Sequence, residues 1–279
     1  MAKQIKAVEM FLALSLAVTL GACNNATTDA GEGGEAEVVE PTETVNQGGE
    51  GGEGGEGGEG GEGGEGGGTG NADVDYMTAL ALMKGHLIVA EELIEEGKYA
   101  EAEPHIGHPV EELYGDVEGQ LTTRNVPQFK AELNELNDLA KSAPEQPETK
   151  QAFTEAMELI DNAIAALPES QRQDPEFVLG TINQLLKTAA EEYEAAIADD
   201  KFVELVEYQD SRGFVLYSQQ LYENIAEEMQ QERPEDHEVI SSTLDELETV
   251  WPSVNPPDSP IKTPSEVYGL VSEIELRSS

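Results

Sequence analysis

Three of the four histidines, His86, His105 and His108, fall within 23 residues, and their spacing suits a metal site. Imidazole nitrogen binds iron, copper, zinc and nickel, and an added carboxylate shifts the preference towards iron or manganese. Gly97 lies midway, eleven residues after His86 and eleven before His108. In two helices folded back at that point, equal distances from the turn bring residues to one height, with His105 one helical turn nearer the loop. His105 and His108, three apart, share a helix face. Glu111 and Glu112 follow at three and four beyond His108. The spacing therefore predicts a ligand set of His86, His105 and His108 completed by Glu111 or Glu112. Iron or copper is favoured and zinc remains open. His237, after Pro234-Glu235-Asp236, reads as a solvated helix start.

The backbone around this cluster is unusual. Pro104 and Pro109 bracket both histidines of the return helix, with Gly107 between them. A proline inside a helix loses a hydrogen bond and costs about 3 kcal/mol or more. Two prolines five apart predict a break or bulge, with a new helix starting at Pro109 and Glu111 and Glu112 in its first turn.

The elements that must carry these residues are helices. From Asp73 to Glu96, apolar residues (Met77, Leu80, Leu82, Met83, Leu87, Ala90, Leu93, Ile94) recur mostly at spacings of three and four. Gly97 ends that helix as a left-handed cap. Further helices are predicted over 99–121, 126–142, 148–167, 174–199, 201–230, 235–250 and 264–275, about eight in all. Asp174 serves as the cap of its helix and Pro175 as the first helical residue. No stretch alternates with period two, so the expected fold class is all-α. Tyr76, Tyr99, Tyr114, Tyr193, Phe202, Tyr208, Tyr217, Tyr222 and Trp251 are spaced as packing residues.

A shift of 103 residues sets Lys84 on Lys187, Ile94 on Ile197, Lys98 on Lys201, and Leu113-Tyr114 on Leu216-Tyr217. Leu133-Asn134-Glu135-Leu136 corresponds to Leu244-Asp245-Glu246-Leu247 after an insertion of eight. The chain reads as two pseudo-repeated helical bundles, 71–168 and 169–279. Ala189, Tyr208 and Ser211 stand where the first repeat has its histidines, so one site is expected, in the first repeat.

A helix, a short Gly97-Lys98 or Asp200-Lys201 turn, and a return helix ending in Glu112-Leu113-Tyr114 resemble the imelysin and EfeO group of periplasmic helical-bundle proteins. The resemblance covers residues 74–275. It implies a duplicated bundle, export or lipid anchoring, and a part in iron uptake. His108 and Glu111 correspond to the histidine and glutamate of that group's Gly-x-His-x-x-Glu motif, and the resemblance implies both as ligands. Here Gly107 stands one place nearer the histidine and Pro109 intervenes.

The N-terminus carries Lys3 and Lys6, an apolar run from Met10 to Leu20, and then Leu20-Gly21-Ala22-Cys23. The run is about half the roughly 20 residues of a membrane-spanning helix and has the layout of a secretory signal. Its end resembles the bacterial lipobox. Residues 1–22 are expected to be removed and Cys23 lipidated, leaving the domain on the periplasmic face of an outer membrane or the outer face of the cell membrane. Cys23 is the chain's single cysteine, which excludes an internal disulfide. Residues 23–70 form a Gly/Glu-rich tether with a strict Gly-Gly-Glu repeat, too poor in apolar surface to fold. Without proline the repeat is not collagen-like. Such a chain spans about 35–40 Å on average and about 160 Å fully extended.

Asp and Glu number 58 against 15 Lys and Arg, for a formal net charge of -43. That excess excludes nucleic acid and anionic lipid surfaces as partners and favours cations or a basic envelope protein. No nucleophile elbow, reactive thiol or phosphate-binding loop is present, so no catalytic residue is assigned. Two functions follow as expectations. One is a lipid-anchored envelope protein holding a transition metal. The other is a tethered helical interaction module without a ligand, which would leave the histidines scattered.

Overall fold

In the computed structural model of the chain, which describes residues 68–278, helix α1 (Ala72–Glu95) starts at a capped end. The Asn71 side chain accepts hydrogen bonds from the N–H groups of Asp73 and Val74, and Asp73 and Asp75 lie in the first turn. Both features stabilise a helix N-terminus. The helix stops at Gly97 (φ +75°), where the Lys98 N–H bonds the Leu93 carbonyl at 2.8 Å and the Gly97 N–H bonds that of Ile94 at 3.0 Å. This is the expected left-handed cap, in Schellman geometry.

The chain returns through α2 (Tyr99–His108), a π-helical turn (Pro109–Leu113) and α3 (Tyr114–Thr123) without a break. Then follow α4 (Lys130–Ser142), α5 (Pro147–Ile164), the short α6 (Glu169–Arg172), α7 (Pro175–Ala195), α8 (Leu205–Glu223), α9 (Ala226–Glu232), α10 (Pro234–Glu248) and α11 (Pro264–Arg277). The all-α class holds. Asp174 caps α7 as expected, its side chain accepting from the Phe177 N–H at 2.9 Å, with Pro175 at the first helical position. One small departure lies between α7 and α8. Strands β1 (Ile197–Ala198) and β2 (Lys201–Phe202) pair antiparallel across Asp199 and Asp200, whose φ values are +52° and +58°. Two consecutive left-handed residues make the turn that joins tight hairpins, and it ends α7 four residues before the predicted boundary. Among the described residues no helix is long and apolar enough to cross a membrane. The leader, Cys23 and the Gly-Gly-Glu tether lie outside the described residues.

Helix α1 is the centre of the described unit. Every residue from Tyr76 to Leu87 is buried, on all faces of the helix, where the sequence pattern predicted a single apolar stripe. A helix buried all round must be enclosed, and α1 packs on α2 and α3, on α5, and on α7 and α8. The two predicted bundle segments therefore share one core. Helix α7 opens at Pro175 and α1 at Ala72, the offset of the sequence register.

Helices α1 and α8 cross at Gly85 and Gly213. A Cβ on Gly213 would lie 2.8 Å from the Gly85 carbonyl carbon and 3.2 Å from Val89 Cγ1, inside van der Waals contact. Backbone meets backbone there, so no side chain can swing aside. Overpacking of this kind costs about 1–3 kcal/mol. Gly213→Ala is expected to lower the melting temperature by roughly 2–12 °C, since each kcal/mol moves a domain of this size by about 2–4 °C. Thermal unfolding followed by circular dichroism checks it, and an unchanged midpoint would show that the crossing is loose.

Candidate metal centre

The crossing at Gly85 and Gly213 carries the polar residues beside it into the core. His86, next to Gly85 on α1, is fully buried, with its ring edge-on to Phe214 of α8 at 5.0 Å between centroids. On the return helix, His105 is equally buried and His108 retains 15 % side-chain exposure. All three histidines of the predicted cluster converge, and they do so on Asp210 of α8, a residue outside the predicted ligand set. His86 Nδ1 lies 2.6 Å and His105 Nδ1 2.7 Å from Asp210 Oδ1. His108 Nδ1 lies 3.3 Å from Asp210 Oδ2 and 3.4 Å from His86 Nδ1. One ligand atom from each of the four residues can be chosen so that all lie within 4.8 Å of one another.

The two glutamates predicted as ligands are placed differently. Glu111 is corrected out of the cluster. Its Oε1 accepts from Asn137 Nδ2 at 2.8 Å and from Lys141 Nζ at 3.4 Å, and its side chain is 55 % exposed. The Asn137 amide, helped by Lys141, holds the Glu111 carboxyl below its ordinary value. The reason is the helix phase. The chain does not restart at Pro109 but widens into the π-turn, which aims Glu111 at α4. Glu112 lies at the rim, Oε1 3.8 Å from His108 Nε2, outside the four-residue group. His237 is also apart, stacked on Tyr222 and 3.0 Å from its hydroxyl.

The electrostatics are those of a buried carboxylate ringed by imidazoles. Burial works against the charge on Asp210, yet His86 and His105 beside it, with hydrogen bonds from His105 and His108, hold its carboxyl well below the ordinary range. Burial also pulls the His108 imidazole down. The hydrogen bond and charge of Asp210, with the charge of Glu112, outweigh burial and the opposing His86, and the His108 pKa lies above its ordinary value. Charges this deep in a protein are found paired or on metals.

The donor set fits a first-row transition ion. Imidazole nitrogens and carboxylate oxygens bond such ions at about 2.0–2.2 Å. A cluster this tight needs side-chain shifts on the order of 1 Å to enclose one, by the same bond lengths. Three nitrogens and one hard oxygen suit iron, zinc, manganese or copper(II), and they lack the sulfur that copper(I) prefers.

Asp210 had a legible signal. It lies on one stripe of α8 with Phe214, Tyr217 and Leu221, at spacings of three and four, and all four are buried. A lone acid on an apolar stripe must be satisfied internally. The 103-residue register marks its neighbours Tyr208 and Ser211 instead, which match His105 and His108 in the other repeat.

Residues 168–279 match the family described as the iron permease-associated 4-helix bundle domain. The four long helices of that stretch are α7, α8, α10 and α11, and α8 carries Asp210. His86, His105 and His108 lie outside the matched residues. No curated protein and no solved structure matches the chain.

Proposed function

We propose that this chain is a lipid-anchored envelope protein that holds one transition-metal ion, iron first, at His86, His105, His108 and Asp210, as the metal-handling companion of an iron permease. The observation that carries this reading is the convergence of three imidazoles and one carboxylate within 4.8 Å in the core. The family description of residues 168–279 supports iron over copper and a membrane transporter as the partner. A carboxylate among the donors points the same way. Inward-facing histidines favour this reading over the interaction module, which would leave them scattered.

Each residue has a task that its position supports. His86 and His105 offer ring nitrogens from rigid helices. Asp210 supplies the negative charge that a buried cation requires. His108, the member that reaches solvent, sits where an ion would arrive, with Glu112 at its outer nitrogen. Cys23, outside the described residues, would attach the chain to the membrane. The Gly-Gly-Glu tether would let the domain reach its partner, and its glutamates would attract cations. The 103-residue register supports a duplicated bundle in which the first copy carries the histidines and the second the carboxylate.

The test is metal content. The full chain, purified in detergent and exposed separately to anaerobic ferrous iron, copper, zinc and manganese, is desalted and analysed by elemental mass spectrometry. About one ion per chain is expected. Binding only to the folded state stabilises it by about 2.7 kcal/mol at a free concentration of 100 Kd, which raises the melting temperature by roughly 5–11 °C. No retained ion of any kind would remove the metal reading and leave the interaction module.

A further inference from the structure

Behind the cluster, one side of α8 is fastened to the segment after α10. Tyr208 donates its hydroxyl to the Ser253 carbonyl at 2.9 Å, and Arg212 Nη1 donates to the Trp251 carbonyl at 2.5 Å. Trp251 Nε1 donates to Ser211 Oγ at 2.6 Å. Between them, Gln209 Nε2 donates to the Val254 carbonyl at 3.3 Å. Trp251, Val254 and Gln209 are all buried. The segment that carries the Val254 carbonyl is thus held by three bonds besides the one to Gln209.

That carbonyl decides which way the Gln209 amide points. A carbonyl oxygen can only accept, so the nitrogen of the amide must face Val254. The amide oxygen then faces the other way, 2.8 Å from His105 Nε2. An amide oxygen also only accepts, so His105 Nε2 must carry a proton. The other nitrogen, Nδ1, is aimed into the cluster and donates to Asp210 Oδ1 at 2.7 Å; its proton is the one an arriving ion would displace to water, leaving the Nδ1 lone pair for the metal and the proton on Nε2 in place. Neither histidine nor glutamine has solvent access through which to change this arrangement.

We propose that Gln209 is a positioning residue for the metal centre: oriented by the Val254 carbonyl, it holds the proton of His105 on Nε2, so that His105 binds the ion through Nδ1. The inference rests on the metal reading above. Partners of this kind fix the tautomer and ring angle of a ligating histidine, and losing one typically costs about 10–100-fold in metal affinity. It also extends the site beyond its ligands. The segment Trp251–Val254 contributes no donor atom, yet it sets the amide that sets the imidazole.

Zinc is the probe, because it is diamagnetic and takes imidazole and carboxylate ligands. In the zinc-loaded full chain, long-range proton–nitrogen correlation spectra should show His105 with a proton on Nε2 and the metal on Nδ1. Gln209→Leu should weaken zinc binding about 10–100-fold in competition with a chelator. Gln209→Glu separates two roles. It keeps the acceptor for His105 and loses the donor to Val254, so it should bind zinc more tightly than Gln209→Leu. Zinc on Nε2 of His105 would overturn the proposal, as would wild-type affinity in Gln209→Leu. An equal loss in Gln209→Glu and Gln209→Leu would reduce Gln209 to an anchor for the segment. Each of these outcomes presupposes a wild type that binds zinc and leaves the metal reading standing. A wild type that binds none removes both.

Discussion

Asp210→Asn is expected to abolish retention of the ion, with at least about a hundredfold loss of affinity, beyond the 10–100-fold typical of an outer partner. Asparagine keeps the volume and one acceptor oxygen, so the change is almost purely one of charge. With Asp210 ionised, a divalent ion in the cluster leaves one uncompensated positive charge; with asparagine it leaves two. The effective penalty for a buried charge is several kcal/mol even after relaxation. The same substitution should destabilise the metal-free protein in a pH-dependent way. The Asp210 pKa is depressed in the folded state, so its contribution is present above the ordinary value of 3.8 and is lost as pH falls through the folded one. The His108 pKa is raised, so its contribution is fully present below 6.5 and is lost as pH rises through the folded value. The two windows overlap between about pH 4 and 6.5. There the variant lacks the counter-charge of a buried pair, a loss of about 3–5 kcal/mol or roughly 6–20 °C. As pH rises towards 8 the His108 contribution fades and the difference should shrink. Melting curves of wild type and variant at pH 5 and pH 8, beside metal content, check both parts. Equal shifts at the two pH values would show that Asp210 and the histidines do not share charge.

Much of this site was legible because it is local. His86, His105 and His108 sit on one hairpin, and the cap at Gly97 fixes their heights by counting alone. Asp210 was not read, because it joins His86 across 124 positions of sequence and no spacing rule reaches that far. Only the burial of its helix face announced it. Glu111 was misplaced for a different reason. The two prolines signalled an irregularity, but sequence does not say whether a helix breaks or widens, and the two choices turn Glu111 to different sides. The helices themselves were recoverable from period and caps, apart from α1, whose sparse polar residues gave a stripe where the structure has an enclosed rod. His105 shows the same limit at finer scale. Its position came from spacing, whereas its tautomer depends on Gln209 and Val254, which only the packing of α8 brings near.

The assignment also makes the centre a joint product of both halves of the chain. The histidines come from the segment 71–168 and the carboxylate and its fastening come from 169–279, the half that matches the permease-associated family. Neither half alone carries the donor set. Anything that moves α8 along α1 alters the distance between ligands, so the close crossing at Gly85 and Gly213 serves the site as well as the core.

Deleting Glu111 should remove the ion while leaving the helices in place. A π-turn holds one residue more than an α-turn, so losing one residue lets the helix from Tyr99 to Thr123 close into regular α-geometry. Residues well to either side, such as Ala102 and Val117, then keep the faces they bury. The residues at the turn do not. His108 immediately precedes it, and its approach to Asp210 at 3.3 Å depends on the local backbone path. Pro109 suffers too. In a regular α-turn its ring meets the carbonyl four residues back, at His105, which costs about 3 kcal/mol. The deletion should therefore lower the melting temperature by roughly 6–12 °C and reduce ion affinity on the order of a hundredfold, as a displaced ligand would. Glu112 can move into the lost residue's place beside Asn137. Glu111→Ala is the control, because it removes the carboxylate and keeps the wide turn. It should retain the ion, since Glu111 faces Asn137 and Lys141. If the point substitution loses the ion and the deletion keeps it, Glu111 is a ligand after all and the π-turn has no part in the site. If both keep it, His108 is dispensable and the centre reduces to His86, His105 and Asp210.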